Sequence, residues 1–247
     1  MNNKKIKVIT YIDRFNILSD TFINYYLNFF NSDEFYFLIL DSEFNLIRDY
    51  LLSKNFSEKN FESVKNEYYG TVKNILHLQN EILDRFLNQG FIVVYVDIDE
   101  IIYHHDLKNY ILTNIKDYIT PSGIFLIPNQ HEGHLISNHK ILDQRGYCIF
   151  DNIWTSKTCI LNKKYVWSGG RHNKNTNKIY EDIFLIDIGK SCPKLMLENN
   201  KITNKIYKNV TFRYSTENES DIKKMISEFV LMSLKPLPNY ITSKKLF

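Results

Sequence analysis

The hydrophobic pattern of this chain changes period several times within its first hundred residues. Residues 6–12, IKVITYI, form a short β-branched run and predict a strand. The following NILSDTFINYYLNFFNS has apolar residues at 17, 18, 22, 23, 26, 27, 29 and 30, close to helical spacing. EFYFLILD (34–41) predicts a second buried strand ending in an acid, and SEFNLIRDYLLSKN a second helix. FESVKNEYYG fits neither period well. TVKNILHLQNEILDRFLNQG (71–90) is the strongest helical pattern. Val72, Ile75, Leu76, Leu78, Ile82, Leu83, Phe86 and Leu87 share one broad face, and Gly90 is a natural stop. FIVVYVD then reads as a third strand. Strands alternating with helices predict an α/β fold with a mostly parallel central sheet flanked by helices. Ligands of such sheets bind at the carboxyl ends of the strands. Tyr11, Asp13, Asp41, Asp97 and Asp99 all sit at such ends.

The second half follows another rhythm. SGIFLIPNQ (122–130) and YCIFDNIWTSKTCILN (147–162) read as strands with interruptions, and KYVWSGGRHNKNTNK as a polar, glycine-containing loop. IYEDIFLIDIGKSCP (179–193) predicts a strand ending at a turn. NESDIKKMISEFVLMSLK (218–235) predicts a helix capped by Asn218 or Ser220. One domain over 1–247 is expected. Residues 1–107 would bind the ligand, 108–195 would complete the site with mixed strands, and 196–247 would add a helix and tail.

Composition narrows the class. A chain of 247 residues, 44% hydrophobic, can bury one large core. The formal charge of +3 is spread along the chain, so no clustered nucleic-acid footprint is present. Three cysteines, Cys148, Cys159 and Cys192, form no CxxC pair and predict a reduced, cytoplasmic protein. No stretch reaches the roughly 18 apolar residues of a membrane span, and the N-terminal apolar stretch is too short for a signal peptide. The tail LKPLPNYITSKKLF has three lysines, thin support for peripheral contact with the inner face of a membrane.

The chemistry concentrates in FIVVYVDIDEIIYHHDL, residues 91–107. An apolar run leads straight into Asp97, Asp99 and Glu100. Clustered carboxylates at the end of a buried strand are costly without a positive partner. Strand alternation would put Asp97 and Asp99 on one face and turn Ile98 into the core. Two hard oxygen donors there suit Mn2+ or Mg2+, which complete their shell with water and substrate phosphates. The plainer alternative is an acidic turn capping the next helix.

LQNEILDRFL followed by VVYVDIDEII resembles the region of GT-A glycosyltransferases in which a helix carrying Gln or Asn precedes a strand ending in a DxD motif. The DIDE form is similar to family-2-like bacterial enzymes, whose motif continues into an aromatic residue; Ile101 stands there in this chain. The motif resemblance covers residues 78–107, and the order of elements extends it to about 5–190.

The resemblance implies a GT-A-like, Rossmann-like fold and a metal-dependent glycosyltransferase. Such an enzyme would be hexosyltransferase-like and inverting. It would move sugar from a nucleotide diphosphate sugar, expected to be a UDP-sugar, to a hydroxyl of a glycan or glycolipid in bacterial surface polysaccharide synthesis. It places Asp97 by the ribose or close behind the metal, and Asp99 on the metal. The third ligand would be His172 of WSGGRHN or Asp187 of FLIDIGK. Arg171 and Lys190 would offset diphosphate charge. Thr10, Tyr11, Asp13, Asp41 and Gln79 would receive the nucleotide. An inverting enzyme also needs a general base. Glu132, Asp151, Glu181 and Asp182 are candidates, with Asp151 nearest the acceptor side and Trp154 beside it to face a sugar.

Other readings compete. HEGH (131–134) is not the HExxH metal motif, and with His139 it gives little case for zinc. Haloacid-dehalogenase-type phosphatases also use a strand ending in Asp-x-Asp, but nearer the domain N-terminus and with different following residues. A non-catalytic nucleotide- or carbohydrate-binding module of the same fold is the third alternative.

Overall fold

Strand β1 (Lys5–Ile12) divides the core in two. In the computed structural model, Ile6, Val8 and Ile12 face one apolar cluster and Ile9 faces the other, as the period of two along a strand requires. The structure describes residues 4–65, 72–127, 144, 147–150, 155–165, 167, 178–189 and 235–236.

The first half builds the parallel part of the sheet. Asn16 caps α1 (Ile17–Tyr26), its side chain accepting from the amides of Leu18 at 2.8 Å and Ser19 at 3.3 Å. Next come β2 (Phe35–Leu40), α2 (Phe44–Ser53) and β3 (Phe61–Val64). The last of these is the segment whose pattern fits neither period. It forms because Phe61 and Val64 are buried and the strand pairs in parallel with β2. Asn55, at φ 64°, ends α2, with the Phe56 amide returning to Leu51 O at 3.1 Å. Helix α3 (Val72–Asn88) stops at Gly90, whose φ is 81°. Strand β4 (Phe91–Tyr95) follows. The order β3-β2-β1-β4 is parallel throughout. Phe35, Phe37, Ile39, Ile92 and Val94 pack in one cluster with α1 and α2. Leu38, Val93 and Tyr95 pack in the other, beneath Ile82, Leu83 and Phe86 of α3.

The second half is mixed, as expected. It contains β5 (Glu100–Tyr103), α4 (Leu107–Asn114), β6 (Tyr118–Ile127), β7 (Tyr147–Phe150), β8 (Ile160–Leu161), β9 (Ile179–Asp187) and β10 (Lys235–Pro236). Strand β8 lies antiparallel between β4 and β6, and β6 runs parallel to β9. β6 starts four residues before the expected strand because Tyr118 and Ile119 pair with β8. Of the helix expected over 218–235, only Lys235 is described, and it pairs with β7. No helix among the described residues is long and apolar enough to cross a membrane.

β5 pairs with β9. At Ile102, two buried tyrosines of α1 take the place of a neighbouring strand. Tyr25 Oη donates to Ile102 O at 2.7 Å, and Tyr26 Oη accepts from Ile102 N at 2.8 Å. Burial pushes both phenols well above the usual tyrosine range, so both stay protonated.

Candidate functional site

The sheet reverses its winding between β1 and β4. β2 and β3 lie to one side of β1, and β4 lies to the other. A crevice opens at the carboxyl ends of such a strand pair. Thr10, Tyr11 and Asp13 lie at that end of β1, and Asp97 and Asp99 follow β4. The Val96 amide bonds Ile9 O at 3.2 Å and joins the two ends.

Strand alternation does not govern Asp97 and Asp99. β4 ends at Tyr95, and residues 97–100 form a turn in which the Glu100 amide bonds Asp97 O at 3.0 Å. The Glu100 side chain folds back, its Oε2 accepting from the Asp97 amide at 3.0 Å. Local side-chain capping thus overrides the extended geometry that the apolar run predicts. Ile98 still packs against the core.

Glu100 is only 2% exposed. Its counter-ion is Lys157, which pairs with Glu100 Oε1 and lies 3.0 Å from Asp97 Oδ2. The segment carrying Lys157 is fixed on both sides. Ser156 Oγ donates to Pro121 O at 2.6 Å, and the hydroxyls of Thr158 and Thr120 bond at 2.7 Å. Cys159 O accepts from the Tyr95 amide at 2.8 Å.

The β5–β9 ladder brings the third acid. Glu100 lies opposite Asp187 in register. The Ile188 amide donates to Asp99 O at 2.8 Å, and the Gly189 amide to Asp187 Oδ1 at 2.9 Å. A Cβ on Gly189 would overlap Asp99 Oδ2 and lie 3.3 Å from Asp187 Oδ1. Only glycine leaves room there for both carboxylates. Burial pushes the Asp99 carboxyl well above the usual carboxylate range; Asp187, Asp97 and Glu100 push it further, and Lys157 offsets part.

No three of His, Cys, Asp and Glu converge as a ready cation cage among the described residues. The pair Asp99 and Asp187 nevertheless fits a hard divalent cation that takes its other ligands from water and phosphate. Both are oxygen donors, both lie against the open face of Gly189, and no Lys or Arg of the described residues lies within 4 Å of either.

The other expected residues divide. The Thr10 hydroxyl is buried without a hydrogen-bond partner at the carboxyl end of β1. Tyr11 packs on the α3-side cluster, and Gln79 is buried on α3. Asp41 is exposed after β2 and accepts from Ser63 Oγ at 2.6 Å. Glu181 and Asp182 lie where β9 bulges out of its pairing with β6, between Tyr180 and Phe184, and Asp182 accepts from Tyr110 Oη at 2.7 Å. Glu132, Asp151, Trp154, Arg171, His172 and Lys190 lie outside the described residues, as do His131, His134 and His139.

Sequence reasoning missed Lys157 and Gly189. The signal for Lys157 was a single cation set among small hydroxyl residues, TSKT, in an otherwise apolar stretch. The signal for Gly189 was a glycine two residues after the strand-end Asp187.

The chain matches no protein-family model and no curated protein. Among solved structures it is similar to S. aureus TarS 1–349, at 14% identity and a TM-score of 0.34, over 91% of this chain and 71% of that one. The same protein in complex with UDP-GlcNAc gives 14% identity and a TM-score of 0.34, over 92% and 71% of the two chains. In complex with UDP it gives 15% and 0.31, over 92% and 70%.

Proposed function

We propose that this chain is a glycosyltransferase that uses a nucleotide diphosphate sugar, with Mn2+ or Mg2+ held by Asp99 and Asp187. The observation carrying this reading is the placement of these two carboxylates against Gly189, beside the crevice where the sheet reverses its winding. A cation bound there would supply charge to offset the departing diphosphate. The parallel strands β3-β2-β1-β4 followed by a mixed sheet also suit the GT-A-like order that the DIDE motif implies.

The remaining roles follow the same frame. Thr10 has a buried hydroxyl without a hydrogen-bond partner at this end of the sheet, and Tyr11, Asp13 and Gln79 would receive the nucleotide there. Arg171 and Lys190 would meet the diphosphate, and His172 would add a ligand. UDP is the expected nucleotide, and the acceptor a hydroxyl of a glycan or glycolipid. For an inverting reaction Asp151 is the preferred base, since Asp182 already accepts from Tyr110 Oη. The expected setting is the cytoplasmic side of surface polysaccharide synthesis.

The test is thermal stability in a panel of nucleotides and nucleotide sugars, each with Mn2+ or EDTA, on wild type and Asp99→Asn. A metal-dependent rise with a nucleoside diphosphate, lost in the variant, is expected. Release of UDP from UDP-sugar in the presence of a glycan acceptor then separates an enzyme from a binding module. No stabilisation by any nucleotide sinks the reading, since a donor site must stabilise the folded state by mass action.

A further inference from the structure

Asp97, Glu100 and Asp187 stand near Asp99, and each of these three raises the cost of charging it. Among the described residues, the shielded Lys157 ammonium enters among them. We propose that Lys157 is a positioning residue that divides the four acids into two pairs. Asp97 and Glu100 share the one Lys157 ammonium, and Asp99 and Asp187 are left to one added divalent cation. This rests on the reading of Asp99 and Asp187 as the cation-facing pair.

Three observations carry the division. Lys157 reaches Asp97 Oδ2 at 3.0 Å and also pairs with Glu100 Oε1, while Glu100 Oε2 holds the Asp97 amide. The ammonium therefore locks both ends of the turn that presents Asp99. Lys157 is shielded, with its side chain 12% exposed, and its neighbours Ser156 and Thr158 are tied to β6. The backbone that carries it is therefore fixed beside the turn. Asp187 Oδ1 accepts from the Gly189 amide at 2.9 Å, on the side of Gly189 where Asp99 Oδ2 also lies. Asp97 then serves the turn rather than the metal. The ammonium occupies the place between Asp97 and Glu100, which leaves Asp99 and Asp187 as the pair open to an ion.

The test is a Mn2+ titration with transfer assays on wild type, Lys157→Met, Lys157→Arg and the double variant Lys157→Met/Glu100→Gln. Wild type binds one Mn2+. Lys157→Met binds Mn2+ about tenfold more tightly, because a repelling charge is gone. Its transfer rate falls about 100-fold, because Asp99 is no longer held in place. A residue that merely supported the fold would lose affinity and rate together. Lys157→Arg keeps the charge and returns both toward wild type. The double variant regains the melting temperature lost in Lys157→Met, because no buried carboxylate is left unpaired at position 100. Wild type that takes up no Mn2+ overturns the cation reading itself. Wild type that binds Mn2+, with affinity unchanged or weakened in Lys157→Met, overturns the division alone, as does a double variant with no recovery.

Discussion

Glu100 and Lys157 form the least exposed ion pair among the described residues, with side chains 2% and 12% exposed. They stand 57 positions apart in the chain, one closing the turn after β4 and the other entering beside β8. Removing one partner of a buried pair leaves a charge without compensation and costs about 3–5 kcal/mol. Lys157→Met should show a loss of that size in urea unfolding. Glu100→Gln should lose less, because Lys157 keeps Asp97. Equal losses for the two variants would mean that Glu100 is not the main partner.

Gly189→Ala tests the space between the two acids. The new methyl would overlap Asp99 Oδ2. Overpacking of this kind costs about 1–3 kcal/mol, small enough to leave a folded protein. Mn2+ binding should fall at least as far as it does in Asp187→Asn, with circular dichroism unchanged. Wild-type Mn2+ affinity in Gly189→Ala would show that the carboxylates do not act from this position.

Asp99 gives a pH signature. Its folded carboxyl binds a proton more tightly than it does in the unfolded chain, through burial and then Asp187. Its contribution to stability is therefore full below about pH 4, the ordinary carboxylate range, and is lost as pH rises through the folded value. Asp99→Asn removes the charge. Metal-free Asp99→Asn should gain stability over wild type as pH rises, and added Mn2+ should narrow the gap by stabilising wild type alone. A difference between the two proteins that does not change with pH would remove Asp99 as a charged, crowded group.

Tyr26→Phe removes the acceptor of a buried amide. The Ile102 N–H loses its 2.8 Å bond, and an unsatisfied buried donor costs about 1–3 kcal/mol. Tyr25→Phe leaves a carbonyl instead and should cost less. Hydrogen exchange at Ile102 should quicken most in Tyr26→Phe. Unchanged exchange there would show that the tyrosines fill space without holding β5.

Much of the fold was legible because its signals are local. The helices near 17–26 and 72–88 and the strands near 5–12, 35–40 and 91–95 follow side-chain period and caps within the segment itself. Strand β3 was not legible, since four residues gain their identity from pairing with β2. At the site, the acids of DIDE and Asp187 were visible as residues, but their arrangement was not. The strand period put Asp97 and Asp99 together. The structure instead joins Asp97 to Glu100 and Lys157, and sets Asp99 beside Asp187. Lys157 and Asp187 come from elements distant along the chain, and no single window of sequence contains them with the DIDE acids. Asp182 illustrates the converse. It precedes Asp187 by five positions, yet a bulge in β9 intervenes and it pairs with Tyr110 instead.

That separation along the chain bears on the order of assembly. The four parallel strands β3-β2-β1-β4 lie within the first 95 residues, so they can pair while the rest of the chain is still being synthesised. Glu100 must wait for Lys157, and Asp99 for Ile188 and Gly189, because closing such long loops carries an entropic cost that only late contacts repay. A chain interrupted before Lys157 would hold the four parallel strands and three of the acids without their organiser. Competence at this site is therefore a property of the finished chain, acquired last.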